Sequence, residues 1–100
     1  MQPKIPAVPA LDETYDASIS GSTELTLNAS TSLIEVAAID KTILLKWGTG
    51  DAATTDFDAV IPLNTVRTFY IPIDSTTGLK YTAVNFIEQA ATAILAVVER

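Results

Sequence analysis

Three aspartates and the only tryptophan lie in or next to residues 48–58, so this stretch is the first place to look for chemistry. Asp51, Asp56 and Asp58 are hard oxygen ligands of the kind that Ca²⁺ prefers, although their spacing does not match the EF-hand pattern. Asp56 and Asp58 are two residues apart, so in a strand both would point to the same face. A pair of carboxylates placed in this way could act as in a glycosidase. Trp47 could provide an aromatic platform for a sugar.

Each of these features also has a structural interpretation. Aspartate commonly forms turns and keeps a loop hydrated, and most aromatic rings of a small β domain belong to its core. We therefore predict no catalytic residue, no metal ligand and no cofactor-binding residue. The candidates for a ligand-binding loop are Trp47, Asp51, Asp56 and Asp58.

The absence of histidine and cysteine narrows the chemistry further. Histidine is the commonest general base, and the two residue types together supply the usual zinc ligands. No serine lies in a G-x-S-x-G motif. Gly48-Thr49-Gly50 lacks the third glycine and the following helix of a dinucleotide site. These observations predict a protein that is not an enzyme and uses no cofactor.

The charge balance argues against nucleic acid and membrane as partners. The chain has 12 acidic and 6 basic residues and a net charge of -6. The cations are scattered, whereas a phosphate backbone or an anionic membrane surface requires clustered ones. The apolar runs are far shorter than the ~20 residues of a membrane-spanning helix, and no apolar run follows Lys4 as in a signal peptide.

The elements that must position these residues are predicted to be β-strands. Period-two alternation and turn clusters roughly 8–12 residues apart predict a small all-β domain, a β-sandwich or jelly roll of seven or eight strands. Residues 85–100 are rich in alanine, but the β-branched residues Ile94, Val97 and Val98 favour strand over helix. The predicted strands are 17–28, 32–39, 42–47, 57–61, 66–71, 81–88 and 92–98.

Residues 1–16 differ from the rest and predict an extended N-terminal arm that precedes a β domain at 17–100. Prolines recur at every third position, and so do larger apolar residues. Proline restricts its own φ and biases the preceding residue to extended geometry, which favours a polyproline-II-like segment. Either this is a frayed terminus or it is an arm that lies on a neighbouring subunit. The arm residues are Pro3, Ile5, Pro6, Val8, Pro9 and Leu11.

The last predicted strand, 92–98, is nearly continuous in apolar residues, which is typical of a central strand that is covered on both faces. An uncovered apolar edge strand would aggregate, so we expect a symmetric homo-oligomer. The predicted contact residues in this part of the chain are Phe86, Ile94 and Val97.

Residues 43–58, ILLKWGTGDAATTDFD, resemble a recurring stretch in small β-rich virion proteins of tailed bacteriophages. In those proteins an apolar strand ending in Lys-x-Gly leads to a Gly-Ala-Ala-Thr-type loop and an Asp-Phe strand. A proline turn and a closing Val-x-Glu strand follow, and here residues 61–64 and 97–100 occupy those places. The similarity covers roughly residues 32–100, and this chain departs from the pattern at Asn64, where glycine is expected.

The resemblance implies a structural role in a virus particle. It implies a capsid decoration or cement subunit, commonly a homotrimer, that is made in the host cytoplasm and located in the virion. Its partners would be copies of itself and other virion proteins such as the major capsid protein. A receptor- or carbohydrate-binding module of a tail fibre or spike, and a neck or tail adaptor, are the alternatives.

Overall fold

The computed structural model describes residues 13–90 and 92–100. All regular secondary structure in these residues is β-strand, which confirms the predicted all-β class. The strands are β1 Glu13–Ile19, β2 Thr23–Thr26, β3 Leu33–Ile39, β4 Ile43–Trp47, β5 Ala59–Ile61, β6 Thr65–Tyr70, β7 Ala83–Glu88 and β8 Ala93–Glu99.

The eight strands form two four-stranded sheets. Sheet A has the order β1-β8-β3-β6 and sheet B the order β2-β7-β4-β5, and every pair is antiparallel. The pairs β1–β8, β2–β7, β3–β6 and β4–β5 join the first half of the chain to the second. The chain is therefore one long hairpin with its tip at residues 48–58. It is rolled so that β8 also pairs with β3, and β7 with β4.

The first strand begins earlier than the sequence predicted. Glu13 pairs with Glu99 across β1 and β8, so residues 13–16 belong to sheet A although the predicted arm covered 1–16. The rest of the predicted arm, including all six of its proposed contact residues, lies outside the described residues.

The sequence predicts one strand over residues 17–28. The structure instead has two strands there, which lie in different sheets. Gly21 has a φ of 93°, a left-handed conformation that glycine adopts without steric cost, and the chain there passes from sheet A to sheet B. The Gly21 N–H donates to Glu88 Oε1 at 2.8 Å. This bond ties the crossover to the end of β7.

The core lies between the sheets and follows the alternation of each strand. Its fully covered side chains include Ile34, Val36, Ile43, Leu45, Ile61, Val84, Phe86, Leu95 and Val97. In β8 buried and half-buried residues alternate strictly. The prediction that the last strand is central is confirmed, but only one of its faces packs inside the sandwich.

Candidate functional surfaces

The 48–58 loop packs onto the outer face of sheet B. By register Leu44 and Asn85 point to this face, opposite to the core residues Ile43 and Leu45. Leu44 is only 2% exposed and Asn85 only 1%, and Ala52 in the loop is 3% exposed. The tip of the long hairpin therefore covers part of one sheet.

Asn85 is the polar centre of this contact. Its Nδ2 donates to the Gly48 carbonyl at 2.9 Å and to Glu24 Oε1 at 3.4 Å. Its Oδ1 accepts from Ser22 Oγ at 3.2 Å, and Ser22 Oγ in turn accepts from the Ala52 N–H at 2.9 Å. A buried amide with satisfied donors and acceptors gives a loop a defined position, so the loop is anchored at two points.

The loop aspartates are largely engaged by their own chain. Lys46 Nζ donates to Asp56 Oδ2 at 2.6 Å, and Asp58 Oδ2 accepts from the Trp47 N–H at 2.9 Å. Asp51 is exposed. In the part of the chain that the structure describes, no three His, Cys, Asp or Glu side chains are grouped so that they could hold a metal ion. The carboxylates thus serve as anchors for β4.

The hydrogen bond to Asp56, aided by the negative charges of Asp56, Asp58 and Asp51, raises the pKa of Lys46 above its ordinary value of 10.5, and partial desolvation opposes this. A raised lysine pKa means that the charged form is favoured on folding. Its contribution to stability is present below pH 10.5 and is lost as the pH rises through the folded pKa.

We predict that Asp56→Asn lowers the pKa of Lys46 because it removes the principal partner of the ammonium group. An NMR titration of the Lys46 ε-methylene protons measures this pKa directly. It would start at about pH 9 and cover the range in which lysine titrates. Asp74→Asn, a change at a carboxylate that does not contribute to the shift of the Lys46 pKa, is the control and should leave the titration unchanged. An unshifted Lys46 titration in Asp56→Asn would show that the ion pair is absent in solution.

Trp47 belongs to an aromatic cluster at one end of the sandwich. Its ring stacks on Tyr81 with centroids 6.2 Å apart and an interplanar angle of 22°, and it meets Phe69 edge to face at 6.3 Å. Trp47 is half-buried and packs against the core. Gly48, whose φ of 99° favours glycine, lies next to this ring: an added Cβ would meet Tyr81 Cε1 in van der Waals contact at 3.5 Å. These contacts favour a packing role for the tryptophan.

We predict a blue-shifted Trp47 fluorescence spectrum with weak quenching by acrylamide, because two aromatic rings and the core restrict access to the indole. The Tyr81→Ala variant should shift the spectrum to the red and increase quenching. A red-shifted spectrum of the unsubstituted protein that responds to added glycans would contradict the packing role and support sugar recognition.

Sequence reasoning missed a groove beside residues 79–82. A groove of about 370 Å³ is lined by Leu27, Thr31, Leu79, Lys80, Tyr81 and their neighbours, and a second of about 250 Å³ lies across the same segment. Lys80 Nζ donates to the Thr31 carbonyl at 2.8 Å. The Thr31 hydroxyl donates to the buried Glu99, which also accepts from the Asn28 N–H at 2.8 Å. Only the turn signal at Gly78 marks this region in the sequence.

The outer face of sheet A is a further candidate surface. We call the outer A face the side chains that alternate with the core residues on β3, β6 and β8. Several of its apolar members are well exposed: Val66 by 65%, Tyr70 by 74% and Ile39 by 39%. Its members are Leu33, Glu35, Ala37, Ile39, Val66, Thr68, Tyr70, Ile94, Ala96 and Val98.

Two of the three predicted contact residues near the C-terminus are not on a surface. Phe86 is 0% exposed and Val97 1% exposed, so both pack between the sheets and have no surface to offer to a partner. The prediction that they are contacts is wrong, because alternation directs them to the core. Ile94 faces the opposite way and belongs to the outer A face, where it is half-buried.

Comparison of the chain with protein-family models, with curated proteins and with solved structures finds no match in any of the three. Among the described residues there is no helix long and apolar enough to cross a membrane.

Proposed function

We propose that this chain is a non-enzymatic structural protein of a tailed-bacteriophage virion, a decoration or cement subunit that stabilises the capsid through subunit contacts. The observation that carries the proposal is the unequal covering of the two outer faces. The 48–58 loop covers part of sheet B, although Val60 on its outer face remains 42% exposed, whereas the outer A face exposes Val66 by 65% and Tyr70 by 74%. Exposed apolar patches of this kind mark surfaces for other proteins.

The strand order supports a more specific fold assignment. The orders β1-β8-β3-β6 and β2-β7-β4-β5 follow from one long hairpin rolled upon itself, which is the arrangement of a jelly roll. Viral capsid domains are among the proteins with this architecture. We therefore propose a jelly roll for this domain, and the strand order supports this proposal and the resemblance of residues 43–58.

The chemistry of the loop also supports a structural role. Asp56 and Asp58, the pair that could have acted as glycosidase carboxylates, bind Lys46 and the Trp47 N–H. Neither carboxylate lines either groove beside residues 79–82. A carboxylate that anchors a strand on an open surface lacks the desolvated setting that acid–base catalysis requires.

In the proposed mechanism the subunit acts by packing. Copies associate as a homotrimer through the outer A face, including Ile94, and residues 3–11 attach to a neighbouring subunit or to the capsid surface. Burial of apolar area at these contacts, at about 25 cal/mol per Å², would hold capsid subunits together against internal pressure.

Purified particles of a tailed phage that encodes this chain provide the test. Mass spectrometry of such particles should detect the chain in a fixed ratio to the major capsid protein. Its double variant Ile5→Asp/Val8→Asp should be lost from the particles, because charge on the apolar edge of the predicted arm opposes docking. Lys4→Gln is the matched control and should remain bound. If the chain is made in infected cells but is absent from the particles, the proposal is wrong.

The groove beside Tyr81 favours a second candidate, a receptor- or carbohydrate-binding module of a tail fibre or spike. Its apolar wall includes Leu79, which is 69% exposed, and aromatic and apolar walls of this kind receive sugar rings. The fluorescence measurement on Trp47, which stacks on Tyr81, distinguishes the two candidates. A neck or tail adaptor would use the same contacts at another place in the particle.

A further inference from the structure

Strand β6 is an edge of sheet A. It is the last strand in the order β1-β8-β3-β6, and no described strand pairs with its other side. The Ile71 N–H donates to the Ser32 carbonyl at 3.1 Å, so by alternation the odd-numbered residues of β6 direct their backbone groups toward β3. The N–H and C=O groups of Val66, Thr68 and Tyr70 therefore point away from the sheet. Such a row of backbone groups is a template for pairing with another chain.

The charge around this edge suits a second copy of the chain as the partner. The chain has a net charge of -6, and like charges oppose the approach of two copies. Residues 59–73 contain no aspartate or glutamate, and Arg67 is their single charged residue. The side chains of Val66 and Tyr70, on either side of Arg67, are well exposed. This edge is therefore a place where the acidic chain can approach a copy of itself.

Strand β6 is complementary to itself in one antiparallel register. Opposite residues of an antiparallel pair lie on the same face of the sheet, so a twofold axis between two β6 strands passes one residue position. With the axis at Thr68, Val66 lies opposite Tyr70 of the second copy, and Thr68 lies opposite its own counterpart. The three residues whose backbone groups point outward then face one another and can form about six hydrogen bonds.

The two neighbouring registers are less favourable. With the axis at Arg67, two guanidinium groups lie directly opposite each other, and like charges in this position are destabilising. With the axis at Phe69, Val66 lies opposite Pro72, which has no N–H to donate. The register centred on Thr68 satisfies the outward backbone groups without either cost.

The side chains also match in the register centred on Thr68. On the outer A face Val66 meets Tyr70, and pairs of β-branched and aromatic residues stabilise antiparallel strands. On the opposite face Arg67 lies across from Phe69, whose ring meets Trp47 edge to face. A guanidinium group is attracted to the face of an aromatic ring. Both faces of β6 therefore contribute favourable contacts to the pairing.

We infer that β6 pairs with β6 of a second copy about a twofold axis at Thr68, so that the two A sheets become one continuous sheet. The inference rests on the proposed function only in that it requires copies of the chain to associate. A twofold contact joins two subunits and cannot close a trimer, so it connects one homotrimer to the next. Stable interfaces bury roughly 1,000 Å² or more, and this short contact is weak unless other interactions hold the trimers close.

Disulfide trapping tests the register, because the chain has no cysteine of its own. Thr68→Cys places two thiols opposite each other, with Cα atoms about 5.5 Å apart, which a disulfide can span. Arg67→Cys is the matched control, because its two thiols would be diagonal neighbours about 7–8 Å apart, too far for a disulfide. Thr76→Cys, at an exposed turn residue, measures random collision. Each variant is oxidised at the same high concentration, and mass spectrometry follows the dimers.

A mixture of two variants provides a second measurement, which keeps the test decisive if Thr68→Cys fails to fold. Val66→Cys with ¹⁵N label is mixed with unlabelled Tyr70→Cys and oxidised. The register places these two thiols opposite each other, whereas two copies of either variant alone have their thiols four residues apart along the strands. Mixed dimers should therefore exceed the dimers of either single variant, and a statistical distribution of dimers would contradict the register.

We expect Thr68→Cys to form dimers at least about tenfold faster than Arg67→Cys or Thr76→Cys, since strand pairing raises the local thiol concentration to the order of millimolar. Equal rates for the three variants, or faster trapping of Arg67→Cys, would overturn the inference. Rapid Thr68→Cys dimers from a chain that is missing from particles would retain the pairing and reject the virion role. A chain that is present in particles but shows no preference for Thr68→Cys would retain the role and reject the pairing.

Discussion

Replacing Phe86 by alanine should lower the free energy of unfolding by about 3–5 kcal/mol, the usual cost of removing a fully buried aromatic side chain. Phe86 is 0% exposed and lies opposite Thr23 and Leu45 in the middle of sheet B. Its ring is among the largest fully covered side chains of the described residues. A domain of this size is stable by only about 5–15 kcal/mol, so the variant would lose a substantial fraction of that stability.

Urea denaturation followed by far-UV circular dichroism measures this effect. Leu79→Ala is the matched control: Leu79 is 69% exposed, and its loss should change the free energy of unfolding by no more than about 0.5 kcal/mol. If Phe86→Ala instead leaves the stability of the domain intact and weakens only its self-association, Phe86 is a contact residue and the described core is incorrect.

Replacing Asn85 by leucine should cost about 1–3 kcal/mol, although the two side chains have similar volumes. The variant leaves the Gly48 carbonyl and the Ser22 hydroxyl without their partner, and unsatisfied buried polar groups carry a penalty of this size. Because these groups anchor the 48–58 loop, the Ala52 amide should exchange its hydrogen faster with solvent.

Hydrogen exchange and urea denaturation of the same variant test the two parts of this prediction. Glu24→Ala is the control, because Glu24 is exposed and, among the described residues, makes a single side-chain contact, of 3.4 Å, to Asn85. An Asn85→Leu protein with unchanged stability and an Ala52 amide as protected as in the unsubstituted chain would mean that the loop is held by other contacts.

The strands could be predicted largely from the sequence because alternation and turn residues are local signals. The strands β3 and β4 on either side of Asp40, and the strands that end before Pro62 and Pro72, follow from such signals. The turn at Asp40 suggests a hairpin, but β3 and β4 lie in different sheets and do not pair. The partner of each strand could not be predicted, because pairing such as β1 with β8 joins residues at opposite ends of the chain. For the same reason residues 17–28 were predicted as one strand: local alternation does not reveal a crossover at Gly21.

The candidate surfaces were harder to predict than the strands. A run such as Ala93–Glu99 is apolar on both sides, so the sequence does not show which side faces the core. The burial of Val97 and the position of Ile94 on the outer A face both follow from this alternation, whose direction the sequence does not reveal. The loop aspartates were recognised as candidates, but the ion pair of Asp56 with Lys46 depends on how the loop folds back over sheet B.

The central claim is that the chain functions by associating with copies of itself. The solution mass of the full chain, measured by multi-angle light scattering, tests this claim most directly. The proposed homotrimer predicts three times the chain mass of 10.6 kDa. A Val66→Asp variant should return the single-chain mass because it places a charge on the outer A face, whereas Val60→Asp should remain trimeric. A single-chain mass for the unsubstituted protein would contradict the account.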